Sequence, residues 1–179
     1  MTLFLVLTVL GDDRPGLVES LSHTITTHDG NWLESRMARL AGKFAGILRA
    51  SVPETQVDAL THALRGLESH GLRILLEWSA TDELLQHDRW LTLDLVGTDR
   101  PGIIRAISRA LAGRGINIDA LHTEYTSAPM SGEMLFKATA QLRVPSQVTI
   151  AELQDDLEQL AHDLMVDITL EHVAAQTPM

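Results

Sequence analysis

The sequence predicts an α+β protein built from two successive βαββαβ units, each an antiparallel four-stranded sheet with two helices on one face. Three observations predict it. A six-residue stretch occurs twice, as Gly11-Asp-Asp-Arg-Pro-Gly16 and, 86 positions later, as Gly97-Thr-Asp-Arg-Pro-Gly102. Each copy follows an apolar run and precedes a helical pattern. The hydrophobic periodicity then alternates between about 2 and about 3.6 in the same order after each copy. Two copies of this length make two small domains, whereas a solenoid needs roughly three or more shorter repeats.

The first unit is expected over residues 1–80. Leu3–Leu10 is almost wholly apolar, as in a central strand covered on both faces or edged by a neighbour. Leu17, Val18, Leu21 and Ile25 make a helix face, with Gly30 near its C-terminal end. Trp32–Leu40 alternates as a strand with one wet face. Ala41-Gly-Lys43 is a tight turn, and Phe44–Val52 is the return strand. Gln56–His70 carries Val57, Leu60, Leu64 and Leu67 at helical spacing, closed by Gly71. Arg73–Ser79 is the last strand. Residues 81–87 are polar and acidic and read as a linker.

The plan restarts over residues 88–173. Trp90–Val96 is a strand, and Ile103, Ile104, Ile107 and Leu111 form a helix face ended by Gly113 and Gly115. Asn117–Thr126 and Met134–Val144 are paired strands joined by the longer loop Ser127–Glu133. Ile150, Leu153, Leu157, Leu160 and Leu164 mark the second helix, and Met165–His172 the closing strand. Residues 174–179 have no partner pattern and read as a frayed tail. Strand, helix, strand, strand, helix, strand is the ferredoxin-like plan.

Composition narrows the function. The net charge is −10, with −2 in residues 1–80 and −8 in the rest. That balance opposes direct nucleic-acid binding, which rests on Lys and Arg neutralising phosphates. There is no cysteine, which removes disulfides, thiolate nucleophiles and cysteine zinc sites and fits a reducing cytoplasm. The apolar start has no basic flank or cleavage site, so it reads as a first strand, not a signal peptide. No apolar run approaches the ~20 residues of a membrane span.

The repeated turn has its own chemistry. Asp13 and Asp99 are placed to cap the following helices, and Pro15 and Pro101 are tolerated in a first helical turn. Gly11, Gly16, Gly97 and Gly102 permit positive φ and close approach. A helix start of this kind also receives anions such as an amino-acid carboxylate. Neither a Walker loop nor a G-x-G-x-x-G fingerprint is present, so Arg14 and Arg100 do not mark a phosphate loop. His122 and Glu124 share a strand face without a second clustered ligand, and there is no G-x-S-x-G elbow. Asp155 and Asp156 read as solvated. Trp32, Trp78 and Trp90 read as core or domain-interface packing. No constellation points to acid–base or nucleophilic catalysis, and no cofactor is expected.

A βαββαβ unit whose first turn reads G-x-D-R-P-G, followed by a helix and an Asn at the next strand (Asn31, Asn117), resembles an ACT domain. The resemblance covers essentially the whole chain as two units. With Leu33-Glu-Ser-Arg-Met-Ala-Arg-Leu40 in the first, the chain also resembles the tandem-ACT transcriptional repressors of the glycine cleavage system. The resemblance implies a non-enzymatic, cytoplasmic regulator, homodimeric, that binds a small amino acid such as glycine. It implies action on transcription through a regulator protein, without direct contact to nucleic acid or membrane. The alternative is a regulatory subunit of an amino-acid metabolic enzyme. Carried over by position, the ligand residues are Gly11, Asp13, Arg14, Gly16 and Asn31 in the first unit. In the second they are Gly97, Thr98, Asp99, Arg100, Gly102 and Asn117. Asp12 stands where the second copy has Thr98, and its charge makes the second turn the expected carboxylate receiver. A bulky residue at Gly102 is expected to block ligand while sparing the fold.

Overall fold

A computed structural model describes residues 1–79, 89–128 and 132–172. The chain divides into two compact units, Met1–Leu84 and Leu85–Met179. The expected linker over residues 81–87 and tail over 174–179 lie outside the described residues, as do residues 129–131 of the Ser127–Glu133 loop.

The first unit runs β1 (Thr2–Asp12), α1 (Leu17–Thr27), β2 (Asn31–Leu40), β3 (Lys43–Pro53), α2 (Val57–Gly66) and β4 (Arg73–Ser79). Its sheet has the order β2-β3-β1-β4 and is antiparallel throughout. Leu5, Leu7 and Val9 project from one face of β1 and are fully buried. They meet Leu17, Leu21 and Ile25, which repeat every four residues along α1, and Leu60 and Leu64 of α2. This period-2 against period-3.6 match is what lets the helices cover a single face of the sheet. β1 is therefore central and edged on both sides but covered on one face only. The near-continuous apolar run of Leu3–Leu10 allowed for two covered faces.

Two local expectations are corrected. The helix expected over Gln56–His70 is broken into a 3-10 turn (Glu54–Gln56), α2, and a second 3-10 turn (Leu67–His70). Gly66 weakens the α-helical ladder there, and Gly71 ends the element at φ 82°. In β2 a bulge lies between Trp32 and Glu34. The extra residue puts Trp32, opposite buried Ala50, on the same face as Ser35 and Met37, so the alternation resets at Leu33.

The second unit repeats the design as β5 (Arg89–Thr98), α3 (Ile103–Gly113), β6 (Asn117–Ser127), β7 (Met134–Val144), α4 (Ile150–Leu164) and β8 (Val166–His172). Its sheet order is β6-β7-β5-β8. Leu91, Leu93 and Leu95 of β5 pack with Ile103, Ile107 and Leu111 of α3 and with Leu153 and Leu157 of α4. Trp32 and Trp78 pack against the first core. Trp90 does not follow them: it is 42% exposed, on the side of β5 away from the helices.

The helix-free faces differ between the units. Across the first sheet run the rows Arg36–Ile47–Thr8–Leu75 and Ala38–Ala45–Leu10–Arg73. The equivalent rows of the second sheet are His122–Thr139–Asp94–Thr169 and Glu124–Lys137–Val96–Asp167. The first face sets Ile47, Leu75 and Leu10 beside a charged row, Glu34–Arg49–Val6–Glu77, and the second is polar and acidic.

On the helix side, Arg114 ties the end of α3 to α4 by pairing with Asp156 and, at 3.5 Å, with Glu152. The hydrogen bond from Arg114, reinforced by its charge, holds the Asp156 carboxyl below its ordinary value of 3.8. A carboxyl depressed on folding contributes stability that is present above pH 3.8 and is lost as pH falls through the lower folded value. Asp156→Asn is therefore expected to flatten the acid limb of the second unit's stability below about pH 3.8. Thermal melts across that range in the variant and the parent check it. Because the pair is solvent-accessible, the change is expected to be small.

Candidate functional site

The repeated turn is built the same way in both units, and differently from a capped helix start. The helices begin at Leu17 and Ile103, with Gly16 and Gly102 at the N-cap. Among the described residues, Asp13 and Asp99 make no capping bond and no side chain caps either helix. Pro15 and Pro101 precede the helices instead of opening them. The reason lies in the glycines. Gly16 and Gly102 sit at φ 90° and 95°, conformations that side-chain-bearing residues rarely adopt. That bend starts the helix four residues beyond the aspartate, out of capping register.

The other two glycines work by proximity. A Cβ on Gly11 would stand 2.8 Å from a methyl of Leu72, and one on Gly97 would stand 2.4 Å from Val166 Cγ1. Among the described residues nothing lies within 4 Å of a Cβ built on Gly16 or Gly102. The close approach expected at Gly102 is thus absent among the described residues. A bulky residue there strains the backbone, so it is not a clean probe of ligand contact.

The arginines of the motif staple the turn to the end of the unit's second helical segment. Arg14 donates to the His70 carbonyl at 2.5 Å, and Arg100 to the Asp163 carbonyl at 3.2 Å. Late helical carbonyls lack intrahelical donors, and a cation is favourable at that negative end. The pairing accounts for the repeat of Arg on structural grounds. It was not anticipated from the sequence, where the end of the second helix lies 56 or 63 residues away.

Charges beside the two turns differ. Asp13 forms an ion pair with Arg39 at 2.7 Å, and Asp12 pairs with Lys43, its cross-strand neighbour. The Lys43 hydrogen bond and charge hold the Asp12 carboxyl below its ordinary value. The negative charge that set the first turn apart in sequence is therefore compensated. A different asymmetry replaces it. Glu19 stands in the first turn of α1, whereas α3 has no acidic residue there and carries Arg105 at the equivalent position. Tyr125 stands where Arg39 would pair, and among the described residues neither Asp99 nor Arg105 has an ion-pair partner. Comparing the two copies position by position would have shown both exchanges.

Asn31 and Asn117 are not brought to the turns of their own units. Asn31 is opposite Ser51, which is opposite Phe4, seven residues before Gly11 on β1. At ~3.3 Å per residue that is about 23 Å along the sheet. Asn117 likewise sits level with Trp90, and its amide donates to Asp119. Asp119 in turn pairs with Arg143 at 3.3 Å. Gly97 and Thr98, by contrast, border a shallow recess lined also by Ala161 and His162 of α4 and by Met165 and Val166, which follow it.

Comparison with known proteins follows the same lines. The ACT-domain family model matches residues 3–78. A structure of an unknown protein from Galdieria sulphuraria is 31% identical, covers 97% of this chain and 100% of its own, and superposes with a TM-score of 0.81. A provisionally assigned glycine cleavage system transcriptional repressor is 21% identical, covers 97% of this chain and 98% of its own, and reaches a TM-score of 0.71, a likeness of fold. No curated protein matches the chain. The ACT-domain match lies in the first unit, and the second unit repeats the same ferredoxin-like plan.

Proposed function

We propose that the chain is a non-enzymatic regulator that responds to a small amino acid, glycine or one of similar size, received at the turn of the second unit. The observation that carries this is a pair of charges of opposite sign around that turn with no ion-pair partner among the described residues, Asp99 before it and Arg105 in the first turn of α3. An amino acid is a zwitterion. Its ammonium suits Asp99, and its carboxylate suits Arg105 and the free backbone N–H groups at the start of α3. Around the first turn Asp12 and Asp13 are already paired, and Glu19 occupies the helix start. Gly97, Thr98, Arg100 and Gly102 shape this site, while Gly11, Asp13, Arg14 and Gly16 chiefly hold the first turn together. Asn31 and Asn117 would join a turn only if a second unit supplied them.

The regulated process is carried over from the name of the repressor-like structure, which matches over nearly its whole length. On this reading the ligand alters contact with a transcription regulator of glycine cleavage genes. The acidic balance supports a protein partner over direct DNA contact.

Calorimetric titration with glycine, alanine and serine tests the reading. Binding is expected at one site per chain, weakened at least ~10-fold by Arg105→Glu and by Asp99→Asn, and unchanged by Glu19→Gln. Failure of the folded protein to bind any of the amino acids removes the sensor role.

A further inference from the structure

One side chain of the second unit stands where the fold would be better served without it. Met165 follows α4 at φ 51° and ψ 50°, the left-handed region that glycine enters freely and side-chain-bearing residues resist. Helices that end this way favour glycine at the position. The first unit has it there: Gly71, at φ 82°, precedes Leu72, which closes on Gly11 as Val166 closes on Gly97. Two other non-glycine residues among the described ones share the conformation. Asp29 is of a type that tolerates it, and Ala41 opens a two-residue hairpin turn that demands it. Neither reason applies to Met165. Packing does not compensate either, since Met165 is 77% exposed and outside the second core. Strain that the fold does not require points to a function.

Its surroundings say which. Met165 borders the recess beside Gly97 and Thr98, about 520 Å³ in volume. The bond from Arg100 to the Asp163 carbonyl, two residues before Met165, fastens this corner to the repeated turn. Thr98 is the chain neighbour of Asp99, so the recess opens beside the group that suits a ligand ammonium. We infer that Met165 is a specificity-determining residue: its thioether walls a side-chain pocket, and the ligand is an amino acid with a short uncharged side chain, alanine or serine in preference to glycine. The inference rests on the reading of the second turn as an amino-acid site. Leu135, Ala161 and Val166 add apolar surface, and Thr98 and His162 offer hydrogen bonds to a hydroxyl. Asp167 sets a carboxylate on the recess, against an acidic side chain. The unbranched, polarisable thioether adapts to either small side chain. Glycine leaves it facing water, and covering one ligand methyl multiplies affinity about 4-fold.

Calorimetric titration of the full chain with glycine, alanine, serine and aspartate, alongside chemical denaturation, tests this. In the parent, alanine and serine bind at least ~3-fold tighter than glycine, and aspartate binds more weakly than either. Met165→Gly restores the first unit's residue. It raises the denaturation midpoint of the second unit, keeps the glycine dissociation constant within ~2-fold, and removes the advantage of alanine and serine. Met165→Leu, apolar and still strained, keeps that advantage. A parent that binds none of the four removes the amino-acid site itself, and the inference falls with it. A parent that binds glycine as tightly as alanine and serine overturns the inference alone. So does a Met165→Gly variant that retains the preference or loses all binding equally, and so does a midpoint that fails to rise, which would place Met165 in the service of the fold.

Discussion

Leu93→Ala is expected to lower the stability of the second unit by about 3 kcal/mol and to leave the first unit's transition in place. Leu93 is 1% exposed on the central strand, opposite Ala140 on β7 and Leu170 on β8. Ala140 has no reach to fill the space a leucine vacates, and the half-buried Leu170 is already packed against the core from an edge strand. The cavity therefore persists, and the cost includes both the lost transfer energy and the void. Leu7→Ala makes the matching loss in the first unit, where Leu7 is fully buried opposite Leu48 and Leu76. The two cores have no residue in common among the described residues. Each variant should move one of two melting transitions, by roughly 4–8 °C per kcal/mol for units of this size. Calorimetry on both variants checks this. A single transition moved equally by either substitution would show that the units unfold together.

Much of the fold was legible because periodicity reports local geometry. Leu17, Leu21 and Ile25 name a helix face whatever lies opposite, and Met134–Val144 and Ile150–Leu164 are expected and observed with the same bounds. What escaped depends on contacts distant in sequence or on backbone conformation. The bulge after Trp32 shifts a strand's faces without altering its composition. Arg14 and Arg100 read as ligand candidates because their carbonyl partners belong to a segment more than fifty residues on. Asp12 read as a free charge because its neutralisation depends on the register that sets Lys43 opposite it. The turn was identified from its residue types, but types alone could not divide the glycines into two that bend the chain and two that let strands approach. Nor could they show that Asn31 stands at the other end of the sheet from Gly11.

That division of the glycines sets up the second large effect, at Gly97. Gly97→Ala is expected to destabilise the second unit by about 1–3 kcal/mol through overpacking. The new methyl would lie 2.4 Å from Val166 Cγ1, 2.9 Å from its Cβ and 3.1 Å from its Cα. Val166 is β-branched and stiff at χ1, and it is the residue paired with Gly97 across β5 and β8, so neither rotamer change nor strand slippage relieves the contact cheaply. At Gly11 the nearest atom is the tip of Leu72, which can turn aside, so Gly11→Ala should cost less. Gly102→Ala fails for another reason, with free space around the methyl and a φ of 95° that an L-residue resists at a cost of roughly 1–2 kcal/mol. Asparagine separates the two causes. It tolerates left-handed backbone better than alanine, so Gly102→Asn should be milder than Gly102→Ala, whereas Gly97→Asn should be at least as damaging as Gly97→Ala because it is larger. Chemical denaturation of the four variants reads the order directly. The same rank order at both positions would mean that one mechanism, steric or torsional, governs both glycines, and that the turn is not divided as its geometry requires.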